Sequence, residues 1–270
     1  MTKEQVTPRE ALVLGDRRGE KPTLVDRALS TLCWTASLSW LIPWTGLLTP
    51  LQSAFGAERI DRLSRLFCRG MVAATGSRWE RHVDPAVDPD EPYVFAQNHI
   101  NHFDFVSMYP ATPHFKQGVE LETHFKYPVY GVFMRTRGTI PVPADRSGRL
   151  DAVREGMRRE AAAGRSILAF PEGTRTLDGR VGPFRKGIFV AARDLGMKVV
   201  PTAVTGMYDV MRKGSLIIRP GNVVRVYCDA PVDFAGVSDD ELPARMEEVR
   251  AAITARVDAD VRRRHDEVRA

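Results

Sequence analysis

Cysteine is scarce in this 270-residue chain: Cys33, Cys68 and Cys228 are far apart, odd in number and never in a C-x-x-C pair. That excludes a disulfide framework and a zinc ribbon, and makes a reducing, cytoplasm-facing compartment the default expectation. Charge of either sign is missing from Ala28 to Ala57, thirty residues without one Asp, Glu, Lys or Arg. The chain also has no G-x-S-x-G elbow, no P-loop and no Gly-rich dinucleotide fingerprint, which removes the commonest hydrolase, kinase and dehydrogenase readings. No internal repeat or low-complexity tract occurs. Its excess of positive charge is small, +5 with a pI near 9.3. Such a balance suits nucleic acid, an anionic membrane face or a phosphorylated substrate, so only the distribution of charge can choose among them.

Residues 1–27 are polar and of mixed charge, which argues against a signal peptide. The uncharged run that follows holds three of the four tryptophans, Trp34, Trp40 and Trp44. A spanning helix needs about 20 mainly apolar residues. Here Ser30, Thr31, Thr35, Ser37 and Ser39 dilute the run, while Pro43, Gly46 and Pro50 interrupt it, leaving an expected unbroken helix over 28–42. A second helix carries Ile60, Leu63, Phe67 and Met71 on one stripe and Arg59, Arg62, Arg65 and Arg69 on another. Tryptophans at headgroup level and arginines toward anionic lipid make a helical hairpin in one leaflet the favoured reading, with a single true span kept open. The competing reading is a helix packed on the core with a solvated arginine face.

From residue 77 onward β-rich runs alternate with helical ones. Candidate strands are 78–83, 93–97, 119–123, 138–142, 166–170, 199–204, 216–219 and 223–228. One helix holds Leu150, Val153, Met157 and Ala161 before Gly164, and another spans 187–195 before Gly196. The last and most regular carries Leu242, Met246, Val249, Ile253, Val257 and Val261, with Ser238 and Glu241 spaced as a capping box. This alternation predicts an α/β domain around a mixed, largely parallel sheet flanked by helices. The expected organisation is a polar segment over 1–27, a membrane-associated helical hairpin over 28–75 and the α/β domain over 76–270.

Chemistry-bearing residues gather after the expected strands, where open α/β sheets place reacting groups. The densest cluster is Gln97-Asn98-His99-Ile100-Asn101-His102-Phe103-Asp104. In a loop turning into a helix, the Asp104 carboxylate can fold back onto one nitrogen of His99, fix its tautomer and stabilise the imidazolium formed when the other nitrogen takes a proton. With no Ser or Cys nucleophile nearby, such a base acts on the substrate's own hydroxyl. Two other readings stand beside it: a loop histidine held by an aspartate for stability alone, and a metal site built from His99, His102 and Asp104. The second cluster is Phe170-Pro171-Glu172-Gly173-Thr174-Arg175, a turn carrying a carboxylate, a hydroxyl and a guanidinium whose planar fork matches phosphate oxygens. Between them, residues 138–146 form a strand that leads to Arg146. Phe184-Arg185-Lys186-Gly187 and Val199-Val200-Pro201 follow.

In this order the motifs resemble the glycerolipid acyltransferase family, in particular its 1-acylglycerol-3-phosphate acyltransferase branch. N-H-x-x-x-x-D matches Asn98, His99 and Asp104; the second motif ends in an arginine, here Arg146; F-P-E-G-T-R matches Phe170 to Arg175 throughout; the fourth is a hydrophobic strand with proline. The likeness covers about 77–230. It departs where the family often has serine two places after the histidine, here Asn101 followed by His102, which touches the acceptor's identity rather than the catalytic pair. The resemblance implies transfer of a fatty acyl group from acyl-CoA or acyl-carrier protein to a lysophospholipid hydroxyl, most simply 1-acylglycerol-3-phosphate. It implies His99 as base, Asp104 as its support, and Arg146 and Arg175 as phosphate anchors in a pocket shaped by Glu172, Gly173 and Thr174. It further implies no metal and no prosthetic group, no nucleic-acid partner, and a peripheral or monotopic place on the cell membrane with the catalytic domain facing the cytoplasm. A different lyso-lipid or glycolipid acceptor, a metal-dependent hydrolase and a non-catalytic membrane-binding module are the rival expectations.

Overall fold

Residues 21–145 and 148–269 are described by a computed structural model of the chain. Two helices come first, α1 (Leu24–Phe55) and α2 (Asp61–Ala74), packed against each other. A seven-stranded sheet follows, of β1 (Arg78–Val83), β2 (Val94–Gln97), β3 (Lys116–Leu121), β4 (Ile140–Val142), β5 (Ser166–Ala169), β6 (Val199–Thr205) and β7 (Val223–Cys228). Spatial order is β1-β7-β6-β2-β5-β3-β4, with every neighbouring pair parallel except β6 with β7. The expected mixed, largely parallel sheet is what forms. Interleaved are α3 (Asp104–Met108), α4 (Pro128–Arg137), α5 (Arg149–Ala162), α6 (Gly187–Asp194), α7 (Met207–Val210) and α8 (Leu242–Arg269).

Strands β2, β5 and β6 are buried along their whole length, as parallel strands covered on both faces must be. Successive side chains then serve opposite layers. Tyr93, Phe95, Leu168, Val200 and Val204 join the layer under α1, α2 and α3. Val94, Ala96, Ile167, Val199 and Ala203 join the layer under α5, α6 and α8. Pro141 sits in edge strand β4, where the missing N–H costs no inner ladder bond. The capping box ahead of α8 forms as its spacing requires: Ser238 Oγ accepts from the Glu241 amide, and Glu241 Oε2 accepts from the Ser238 amide.

Two expectations need correction, and one alternative left open is decided. The run at 216–219 is not a strand. Its backbone is tied to α1 instead, with Ser30 Oγ and Trp34 Nε1 donating to the Leu216 carbonyl and the Ile218 amide donating to Ser30 Oγ. Secondly, α1 does not stop at Ile42 but runs on through Pro43 and Pro50 to Phe55, 32 residues in all. Buried Leu48 and Gln52 lie beyond the first proline, and Gln52 accepts a hydrogen bond from Thr136 on α4, so tertiary packing offsets the lost helical bonds. Of the two membrane readings, the single span that was kept open is not found: no helix among the described residues is long and apolar enough to cross a membrane.

Of the two features that suggested a membrane hairpin, the tryptophans are spent largely inward. Trp40 donates to the Phe67 carbonyl, Trp34 to that of Leu216, and Trp44 packs on Phe67. Of the arginine stripe, Arg65 ties α2 to the carbonyls of Thr112, Pro113 and His114 while pairing with Asp61 on its own helix, and Arg69 stands over Trp79. Arg59, Arg62 and Arg69 stay exposed. Residues Cys33, Leu48, Phe67, Cys68, Met71 and Val72 of the hairpin belong to the same core layer as β2 and β6.

Candidate active site

Strand β2 ends at Gln97, and the chain turns directly into the segment that carries His99 and Asp104. Asn98 fixes that turn by pairing with β6 like a further strand residue: its Nδ2 donates to the Val204 carbonyl and its Oδ1 accepts from the Val204 amide. Asn101 ties the same loop to α7, donating to the carbonyls of Met207 and Met211 and accepting from the Phe103 amide. With the backbone so held, His99 Nδ1 lies 2.7 Å from Asp104 Oδ2. A carboxylate can only accept here, so the proton sits on Nδ1 and Nε2 keeps its lone pair. Asp104 Oδ2 also accepts from the amides of Ile100 and Asn101. Burial pushes the Asp104 carboxyl upward, and the bonds from His99, Ile100 and Asn101 pull it back down. The aspartate is almost wholly enclosed, whereas the imidazole retains about a quarter of its side-chain exposure (24%). This is a base oriented from behind and open in front.

The F-P-E-G-T-R loop reaches the same place because β5 is β2's parallel neighbour, with Val94 opposite Ile167. Phe170 stacks on the His99 ring with centroids 4.2 Å apart and planes inclined by 21°. The His99 amide donates to Glu172 Oε1 at 2.8 Å, and the Thr176 amide donates to the His99 carbonyl at 2.7 Å. Glu172 is buried, and its other oxygen accepts from the Gly182 amide at 2.9 Å. Burial raises its pKa, opposed chiefly by those two amides. Both carboxylate oxygens are therefore engaged with backbone, and Glu172 clamps the loop after β2 to two points of the loop after β5. Gly173 adopts φ +63°, and a Cβ there would meet the Arg185 guanidinium at 2.7 Å. Thr174 Oγ1 accepts from Lys213 Nζ at 3.0 Å, and the Arg175 carbonyl accepts from the same ammonium at 2.9 Å. The Arg175 side chain donates from Nη1 to His102 Nε2 at 2.8 Å.

The structure thus brings together His99, Asp104, Glu172, Gly173, Thr174 and Arg175. Arg146 lies outside the described residues. His102 turns to Arg175 rather than to the His99–Asp104 pair, and among the described residues no three His, Cys, Asp or Glu side chains converge as metal ligands would. Of two further cations at this loop, one was quoted in the sequence without a role and the other was missed. Arg185 covers Gly173, and Lys213 reaches the loop from the turn after α7. Lys213 belongs to no motif and left no signal in the sequence; Arg185 was visible only as a basic residue before a helix. Around Gly173–Arg175 there is now a cationic cradle beside an oriented base, a geometry able to hold a phosphate-bearing alcohol and remove its hydroxyl proton.

Residues 78–205 match the Acyltransferase family model. Across 92% of this chain and 97% of the other, the fold is that of the crystal structure of the 1-acyl-sn-glycerophosphate (LPA) acyltransferase from Thermotoga maritima, with TM-score 0.70 and 22% identity. The matched stretch lies within the α/β body, which is thus similar to the acyltransferase family in sequence and in fold. The branch it resembles is the one its relatives are named for. A 1-acyl-sn-glycerol-3-phosphate acyltransferase of Chlamydomonas reinhardtii is 30% identical over 208 residues, 74% of this chain and 61% of that protein. The chloroplastic enzymes of Brassica napus and Arabidopsis thaliana are 33% and 34% identical over 53% of this chain, and 41% and 40% of their own lengths. The chain thus spans between two fifths and three fifths of these curated relatives.

Proposed function

We propose that this protein transfers a fatty acyl group from acyl-CoA or acyl-carrier protein to the free hydroxyl of 1-acylglycerol-3-phosphate, yielding phosphatidic acid. The observation that carries the reading is the 2.7 Å His99–Asp104 bond, which presents a free Nε2 beside the cations at Gly173–Arg175. His99 Nε2 takes the hydroxyl proton as the oxygen attacks the thioester carbonyl. The tetrahedral adduct then collapses, breaking the C–S bond, and the imidazolium returns its proton to the departing thiolate. No covalent enzyme intermediate forms. General-base assistance is worth about 10²–10⁴-fold, so positioning must supply much of the remainder. Arg175 and Arg146 would anchor the phosphate. Glu172 and Thr174 would hold the loop that carries Arg175.

Support for a membrane-surface setting comes from the outer face of α1. Its buried positions include Ser30, Ser37 and Gln52, while Leu24, Leu32 and Ile42 lie 84%, 66% and 67% exposed. A helix that turns serines inward and leucines outward is built against a second apolar phase. Trp34, on the inward side of α1, packs on Phe103 in the loop that carries His99, so the helix that presents those leucines also borders the site. Buried free cysteines agree with the cytoplasmic side.

The test is a panel of lyso-acceptors offered with labelled acyl-CoA and with acyl-carrier protein, using wild type and His99→Ala. Label should enter phosphatidic acid with wild type alone. A His99→Ala protein that keeps near-normal turnover would sink the mechanism, and label in a phosphate-free product alone would sink the acceptor.

A further inference from the structure

His102 is the third of the four residues between His99 and Asp104, and nothing in the reaction above uses it. Its Nε2 is 2.8 Å from Arg175 Nη1. A guanidinium has only donors, so that nitrogen must present a lone pair: the imidazole is neutral, with its proton on Nδ1. The peptide that follows Arg175 is also fixed, by Lys213 at the Arg175 carbonyl and by the His99 carbonyl at the Thr176 amide. The guanidinium is therefore aimed, and the histidine does the aiming.

We propose that His102 is a positioning residue that directs the Arg175 fork toward the acceptor's phosphate and releases it when the imidazole is protonated. This rests on the reading of Arg175 as a phosphate anchor. The charged groups facing His102 are Arg175 from the loop after β5, His99 and Asp104 from its own segment, and Glu120 from β3. Burial first, and Arg175 second, lower its pKa, with Asp104 and Glu120 opposing. The neutral, accepting form accordingly persists at neutral pH. Protonation falls on the acid side of the ordinary histidine range, where the accepted bond becomes a like-charge contact.

The experiment is steady-state kinetics of the full chain in mixed micelles, comparing wild type, His102→Ala, His102→Gln and Arg175→Ala. Two acceptors are used, 1-acylglycerol-3-phosphate and 1-acylglycerol. His102→Ala should raise KM for the phosphorylated acceptor about tenfold, the scale of one hydrogen bond to a charged group, with a smaller change in kcat. Glutamine can accept from Arg175 through its amide oxygen, so His102→Gln should restore most of that KM. It should also lose the extra rise in KM that wild type shows toward acid pH, because glutamine does not titrate. On 1-acylglycerol, wild type and His102→Ala should coincide.

An unchanged KM in His102→Ala, an equal loss on both acceptors, or a glutamine variant as impaired as alanine overturns the proposal. If Arg175→Ala raises KM and His102→Ala does not, only the positioning role fails. If Arg175→Ala leaves KM unchanged, the anchor itself is wrong. Should wild type acylate neither acceptor, the functional reading falls, and a nitrogen-15-resolved titration of His102 with inorganic phosphate present decides the link. Its pKa should rise in Arg175→Ala, and an unmoved titration overturns the coupling.

Discussion

At the scale of single residues the site is built on two buried carboxylates with different tasks. Asp104 faces an imidazole, and Glu172 faces two amide donors from separate loops. In the proposed mechanism, replacing Asp104 by asparagine removes the charge that would stabilise the imidazolium, and the asparagine NH2 can force the His99 proton onto Nε2, the nitrogen proposed to accept. Turnover of Asp104→Asn should fall by about 10²–10⁴-fold with a nearly unchanged far-ultraviolet spectrum. Activity within a few-fold of wild type would show that His99 needs no oriented partner. In Glu172→Gln the new amide NH2 has to face one of two N–H donors, leaving one of them without a partner. About 1–3 kcal/mol of stability should go with it, read as a lower Tm. Loss of activity without loss of Tm would instead place Glu172 on the substrate.

Individual helices and strands show what was legible and why. Strands β2, β5 and β6 were visible because β-rich runs ended in chemistry-bearing turns. The His99–Asp104 contact was visible because a five-residue return in a strand-to-helix loop leaves few other partners. The roles of Arg185 and Lys213 were not, because only the fold brings residues 173–175, 185 and 213 to one place. Helix α1 was misjudged for a related reason. Local rules stop a helix at Pro43, yet contacts with α2 and α4 hold both ends of the interruption. One such contact is tight enough to test: a Cβ on Gly70 would lie 2.1 Å from the Trp40 ring. In a helix interior alanine gains about 0.8–1 kcal/mol over glycine. Trp40 cannot swing aside without losing its bond to the Phe67 carbonyl, so overpacking of about 1–3 kcal/mol should win. Gly70→Ala should therefore melt at a lower temperature, and a higher Tm would mean that α1 slides freely over α2.

For the molecule as a whole the unresolved quantity is free energy at a surface. Leu24, Leu32 and Ile42 on α1 and Val129 on α4 are each at least 66% exposed, and α4 packs beside α1. Full removal of such a side chain from water is worth about 1.5–3 kcal/mol, so four of them half-immersed contribute roughly 3–6 kcal/mol. Exposed Arg59 and Arg62 add attraction to anionic headgroups that salt weakens. Apolar burial is the larger and salt-resistant part. The double variant Leu32→Glu with Ile42→Glu should lose at least tenfold in binding to phosphatidylglycerol-containing vesicles, measured by flotation at both low and high salt. Because neither side chain packs in the core, Tm should hold. Turnover on a water-soluble short-chain acceptor should hold as well, since His99 and its cradle are untouched, while turnover on vesicle-borne acceptor should fall with binding. Undiminished flotation of that variant would mean that the outward leucines do not meet lipid, and that the exposed arginines alone hold the protein at the membrane.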